Sequence, residues 1–264
     1  MRFGMCYSPD QTPALAEAGY DFVEWPMSRT VGEMDEDAYR ALRTLAQGLT
    51  IRPEAWNVML PRSIKVVGPD ADHAAMERYV ETAFSRAAEL GGQVVVFGSG
   101  GSRAVPDGWA REEAMQQFDD ACRLAGDVAA RNGITIAIEP LNRAETNLIN
   151  SVSEAAVVVG RLGHSSVRLL SDLYHVAQED EPFNDTGAAA SLLAHVHIAA
   201  PYSRLMPRAG EMDTMYREFF RVLTRSGYDD RISIECSQPT LDEAADGLTY
   251  LRHLWEGVTN DVPA

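Results

Sequence analysis

The sequence predicts an α/β chain closed into a single (β/α)8 barrel, and three observations carry that prediction. Short apolar runs alternate with longer segments of helical period from one end of the chain to the other. Eight strand candidates can be drawn, each followed by a helical segment, at spacings of roughly 20 to 40 residues, as eight βα units require. The length of 264 residues, with no composition shift marking a second unit, suits one domain of this architecture. No Gly-x-Gly-x-x-Gly follows the first strand, which argues against an open dinucleotide-binding sheet.

In order along the chain, the strand candidates are 2–6 (RFGMC), 21–25 (DFVEW), 53–58 (PEAWNV), 93–98 (QVVVFG), 134–139 (ITIAIE), 167–172 (VRLLSD), 194–198 (AHVHI) and 231–235 (RISIE). Helices are predicted between them. Residues 76–90 place Met76, Val80, Ala83, Ala87 and Leu90 on one stripe, and residues 111–131 do the same with Met115, Phe118, Cys122, Ala125 and Val128. Two helix starts carry the Ser/Thr-x-x-Glu pattern in which side chain and backbone cap each other: Ser151 with Glu154, and Thr240 with Glu243. The barrel is expected to occupy 1–256, and 257–264, with its Gly, Asn, Asp and Pro, to form a loose tail.

Composition narrows the function. Thirty-nine acids against 23 bases give a formal charge of −16, which repels nucleic-acid phosphates and anionic membrane surfaces. Cys6, Cys122 and Cys236 form neither a CxxC nor an even set, so no disulfide framework is expected and a reducing, cytoplasmic setting fits. No stretch of eighteen apolar residues and no basic-then-apolar leader occurs, so neither a membrane span nor export is expected.

Strand alternation then locates the chemistry. In the fifth strand Ile134, Ile136 and Ile138 share the helix-facing side, while Thr135, Ala137 and Glu139 point inward. By the same count the sixth strand ends inward at Asp172, the seventh carries His195 and His197 inward, and the eighth ends inward at Glu235. Four consecutive strands therefore aim polar ends at the C-terminal mouth, where barrels of this kind build their active sites. Singly, each residue suits a loop start, a cap or a satisfied interior histidine; jointly they require four coincidences of parity and position. Three carboxylates in a partly dry pocket repel one another unless a cation offsets them. Glu139, Asp172, His197 and Glu235 are accordingly predicted to hold a divalent metal, Mn²⁺ first, with Mg²⁺, Co²⁺ and Zn²⁺ as alternatives. His195, two residues deeper, is read as a packing or supporting residue.

The run Ile138-Glu139-Pro140-Leu141-Asn142-Arg143 with Glu145, the Asp172-x-x-His175 pair, His195-Val196-His197-Ile198 and Ile234-Glu235 resemble the sugar phosphate isomerase/epimerase family, the xylose isomerase-like TIM barrels. Ketose 3-epimerases, hydroxypyruvate isomerases and inositol-pathway enzymes belong to it. The resemblance implies that Glu139, Asp172, His197 and Glu235 are the metal ligands and that Glu139 and Glu235 double as the acid/base pair. It also implies that Glu145, His175 and Arg204 hold substrate hydroxyls and carbonyl.

The expected reaction is isomerisation or epimerisation of a small ketose, polyol-ketone or related hydroxy-carbonyl compound. Metal bound at the carbonyl and neighbouring hydroxyl stabilises an enediolate, one glutamate removes a proton and the other returns it, each with a rate factor of about 10² to 10⁴. The alternatives are a dehydratase of a keto-polyol, which begins with the same proton removal, and a barrel that binds sugar without turning it over. The AP endonucleases of the same family use a multinuclear, His-rich zinc site; six histidines and this negative charge fit that poorly. The partner is a small molecule, and a homo-oligomer is compatible with the sequence.

Several residues have less pointed readings. Glu24 and Asn57 end strands two and three and suit either a pocket wall or buried hydrogen bonds. Trp25, Trp56 and Trp109 suit packing ahead of a wall beside a sugar face. The glycines and Arg103 of the 96–103 stretch (VFGSGGSR) suit a tight loop ahead of an anion cradle. His73 and His253 read as surface residues, His164 as a turn residue without a partner, and Cys236 as core.

Overall fold

A computed structural model of the chain describes residues 1–237 and 239–261. Eight parallel strands close in sequence order: β1 (Arg2–Cys6), β2 (Phe22–Pro26), β3 (Pro53–Asn57), β4 (Val94–Phe97), β5 (Thr135–Ile138), β6 (Val167–Asp172), β7 (Leu193–Ile198) and β8 (Arg231–Ile234). Closure is made by β1 against β8, with Met5 opposite Ile234. Each strand lies within two residues of its predicted position, because strands buried on both faces read as compact apolar runs between turn residues.

The pleat separates two apolar layers. Phe22, Ala55, Val94, Val96, Ala137 and Leu170 fill the barrel interior. The alternate residues, among them Ile134, Ile136, Ile138, Ile232 and Ile234, join the larger core beneath the helices. The interior layer is small because polar side chains occupy the rest of it: Glu24, Asp172, His195, His197 and Ser233 are all buried. Gly4 belongs to this packing, since a Cβ there would lie 2.2 Å from the Phe22 ring. Trp25 and Trp56 form an edge-to-face pair with centroids 5.5 Å apart in the outer core, so they pack helices onto strands.

The outer ring contains α1 (Thr12–Glu17), α2 (Glu36–Gln47), α3 (His73–Glu89), α4 (Arg111–Arg131), α5 (Val152–Leu162), α6 (Phe183–Ala188), α7 (Asp213–Arg225) and α8 (Leu241–Asp261). Short one-turn helices, including Gly100–Arg103 and Leu173–Gln178, occupy the loops above the strands. Both predicted caps form. Ser151 Oγ accepts from Glu154 N at 3.0 Å, while Thr240 and Glu243 cap each other reciprocally at 3.2 and 2.9 Å.

The C-terminal boundary differs from expectation. Helix α8 continues through Asp261, so 257–261 are helical, with Val258 buried in the outer core; 262–264 lie outside the described residues. The Gly257 and Asn260 that suggested a tail are outweighed by the apolar stripe Leu248, Leu251, Leu254 and Val258. Among the described residues, no helix is long and apolar enough to cross a membrane.

Candidate functional site

The ends of β5 to β8 deliver their polar residues to one point. Asp172 pairs in register with His197 and His197 with Ser233, so the strands hold these side chains at one level. One ligand atom from each of Glu139, Asp172, His197 and Glu235 lies within 4.8 Å of every other. His197 Nδ1 is 3.2 Å from Glu139 Oε1 and 3.5 Å from Glu235 Oε2. Asp172 Oδ1 caps the following helix by accepting from Tyr174 N at 2.9 Å, while its Oδ2 is buried without a hydrogen-bond partner.

Glu145, His175 and Arg204 reach the same place. Arg204 donates to Glu145 Oε1 at 2.8 Å and also to Glu235 Oε2, and its guanidinium lies 4.9 Å from the centre of the Tyr174 ring. Its backbone is left-handed, φ 54°, a conformation that L side chains rarely adopt and that here turns the side chain back over the mouth. His175 accepts from Asn142 N at 3.1 Å through Nδ1, which leaves its proton on Nε2, 3.6 Å from Asp172 Oδ2. All seven sequence-predicted site residues are thus brought together.

Charge is unbalanced at this point. Burial, reinforced by Glu235, pushes the Glu139 carboxyl up. Burial, with Glu139 and Glu235 nearby, raises Asp172 to about 7. Glu235 goes the other way: against its burial, His197 and Arg204 hold it well below the usual carboxylate range. His197, also against its burial, is raised by Glu24 and Glu235. Burial and Arg204 lower His175 to about 3, which keeps its imidazole neutral. The protein's own cations at the mouth do not neutralise the carboxylates, and burial together with the neighbouring Glu139 and Glu235 makes Asp172 hold its proton more tightly.

Several contacts were not legible in the sequence. Glu24, from the far side of the barrel, accepts from His195 and His197. Asn57 donates to Glu235 Oε1 at 3.0 Å. Asn142 orders His175, and its position inside the motif run was the only signal available. Gly98 gives Glu139 its space: a Cβ there would lie 2.2 Å from Glu139 Oε2. Arg103 does not form an anion cradle. It is fully buried and donates to the Glu139 carbonyl at 2.5 Å, so it braces the end of β5, and the adjoining glycines serve close packing.

Two minor expectations are also corrected. His164 has a partner, Asp127 Oδ1 at 3.2 Å, because the turn folds back onto α4. Cys236 packs against the outer core as expected, but it is only partly buried and also lines the cavity at the mouth, since the chain leaves β8 at Glu235 and loses the strand's alternation. That cavity, about 550 Å³, lies between the ends of β1, β2, β3 and β8 and includes Tyr7, Arg29, Asn57, Arg204 and Glu235 in its wall.

A closed eight-stranded barrel whose mouth gathers carboxylates and one imidazole in a partly dry pocket is an arrangement able to take up a cation and a small polar ligand. The family model described as xylose isomerase-like TIM barrel matches residues 13–254, and the chain belongs to that family. Among curated proteins it is 30% identical to 3-dehydro-D-guloside 4-epimerase of Escherichia coli (strain K12) over 141 residues, 52% of this chain and 53% of that protein. The match therefore spans about half of that relative. It is 24% identical to the ketose 3-epimerase of Arthrobacter globiformis over 262 residues, 98% of this chain and 86% of that protein. The structure of D-psicose 3-epimerase with D-tagatose from Clostridium cellulolyticum H10 superposes with a TM-score of 0.82 at 18% identity, covering 97% of this chain and 99% of that one.

Proposed function

We propose that the protein is a divalent-metal-dependent isomerase or epimerase of a small ketose or related hydroxy-carbonyl compound, working in the cytoplasm with Mn²⁺ as its preferred ion. The observation that carries this is the arrangement of Glu139, Asp172, His197 and Glu235, with Asp172 Oδ2 buried and unpartnered among them. Three carboxylates and one imidazole form a donor set suited to a borderline-hard cation. A divalent cation held there supplies Lewis-acid polarisation of a substrate carbonyl.

The remaining chemistry belongs to the chain. Glu235, held ionised by His197 and Arg204, is the base that takes the proton beside the carbonyl. Glu139, driven up by burial and by Glu235, is the acid that returns a proton, and the two exchange roles for the reverse substrate. His175, its proton fixed on the unpartnered Nε2 beside Asp172, would donate to a substrate oxygen entering there, and Arg204 with Glu145 would orient the hydroxyls across the mouth. The names of the relatives support ketoses as the substrate class.

The test is a set of ketoses incubated in deuterium oxide with added Mn²⁺. The expected result is an isomeric product carrying solvent deuterium on carbon, at the carbon that lost its proton for an epimerase and at the adjacent former carbonyl carbon for an isomerase. Release of water would mark a dehydratase, and Mn²⁺ retention with no carbon-bound exchange would mark a sugar-binding barrel; either overturns the reading.

A further inference from the structure

Glu24 has no part in the chemistry just described, yet it is a fully buried carboxylate placed against the imidazole of that site. It projects inward from β2, and its Oε2 accepts from His195 Nε2 at 2.8 Å. Its Oε1 accepts from His197 Nε2 at 3.0 Å. The other nitrogen of His197, Nδ1, faces Glu139 and Glu235. A carboxylate only accepts, so the contact requires N–H at Nε2 of His197 and makes Nδ1, facing the carboxylates, the nitrogen whose proton a cation among them would displace.

His195 restrains this arrangement. It engages the second oxygen of Glu24, lies edge-on to Phe22 with centroids 6.3 Å apart, and meets the His197 ring at 82° with centroids 5.0 Å apart. Rotation of Glu24 away from His197 would break both hydrogen bonds at once in a dry interior, where an unmade bond is costly.

We propose that Glu24 is a positioning residue which, together with His195, fixes the tautomer and ring plane of His197 and thereby sets the strength of metal binding. The proposal rests on the metal reading above. Carboxylate partners of ligating histidines act this way generally, raising ligand basicity and holding the ring, and their loss costs about ten- to a hundredfold in metal affinity or activity. A competing arrangement exists on the other side of the ring. Cys6, Glu24 and His197 also offer ligand atoms within 4.8 Å of one another, and an ion there would use His197 Nε2 instead.

Two measurements decide. In protein loaded with diamagnetic Zn²⁺, a long-range ¹H–¹⁵N spectrum of the histidines is expected to show His197 with its proton on Nε2 and the metal-induced shift on Nδ1. A metal-bound Nε2, with the ion at Cys6 and Glu24, overturns the proposal without requiring any variant to fold. For Glu24→Gln, one acceptor oxygen must serve two imidazoles. Mn²⁺ affinity, read from the free-ion electron paramagnetic resonance signal, is expected to fall ten- to a hundredfold. Unchanged affinity together with an unchanged His197 spectrum overturns the inference alone, whereas failure of the wild-type protein to bind Mn²⁺ overturns the proposed function itself.

Discussion

The two ends of the barrel both collect charged side chains, and they treat them differently. At the N-terminal end, Arg2 donates to Glu54 at 2.5 Å. There Arg231 meets Asp230 at 3.1 Å and Gln93 at 2.9 Å, with Glu54 a further 3.8 Å contact. Two arginines face two carboxylates and a neutral amide. At the C-terminal end, four carboxylates, Glu139, Asp172, Glu235 and Glu145, face His197, Arg204 and the buried Arg103, and Asp172 holds a proton to about pH 7. Matched charges close the bottom, and an excess of one sign prepares the top for a cation. The same fold therefore separates stability from chemistry along its axis.

The largest expected effect breaks the upper end alone. Glu139→Gln or Glu235→Gln should each lower turnover by at least about 10²- to 10⁴-fold; melting should be unchanged or slightly raised in Glu139→Gln, where a repelling carboxylate has gone, and lowered in Glu235→Gln, which loses its contacts with His197 and Arg204. Near-normal turnover in both variants would remove the acid/base assignment.

Metal should stabilise the same end. At a Mn²⁺ concentration a hundredfold above the dissociation constant, unfolding free energy rises by about 2.7 kcal/mol, and a chelator reverses it. This gain depends on pH. The folded-state pKa of Asp172 is raised to about 7, so its contribution to metal-free stability is present in acid and is lost as the pH climbs through about 7. Protons and Mn²⁺ compete for this carboxylate, so the Mn²⁺-induced rise in melting temperature should grow from pH 5 to pH 8. A rise that shrinks over that range would contradict the account.

Gly98→Ala is a smaller probe of the upper end. Its Cβ would lie 2.2 Å from Glu139 Oε2, so the carboxylate must move, and Mn²⁺ affinity and turnover should fall together, with an overpacking cost of about 1–3 kcal/mol. The mildest change sharpens the contrast from below. Arg231→Met should lower the urea midpoint by the equivalent of about 1–3 kcal/mol, through loss of its buried hydrogen bonds, while turnover per folded molecule stays at the wild-type level.

Much of this was legible in the sequence because barrel strands obey a strict alternation. Once Ile134, Ile136 and Ile138 face the helices, Glu139 has little choice of direction, and the same count aims Asp172, His197 and Glu235. Contacts across the barrel were not legible. Glu24 and His197 are 173 residues apart on strands that do not pair, so nothing local marks their hydrogen bond. Gly98 and Arg103 were misleading for a related reason: glycines and a cation in a loop have the same local signature whether they meet a phosphate or the back of Glu139. The end of α8 was missed because helix-weakening residues at 257 and 260 were outweighed by tertiary packing of Val258.

The central claim is that four side chains from β5 to β8 hold one divalent ion. Anomalous diffraction from crystals soaked in Mn²⁺ tests it most directly. The account predicts a single strong peak bounded by Glu139, Asp172, His197 Nδ1 and Glu235; a featureless mouth, or a peak bounded instead by Cys6 and Glu24, would contradict it.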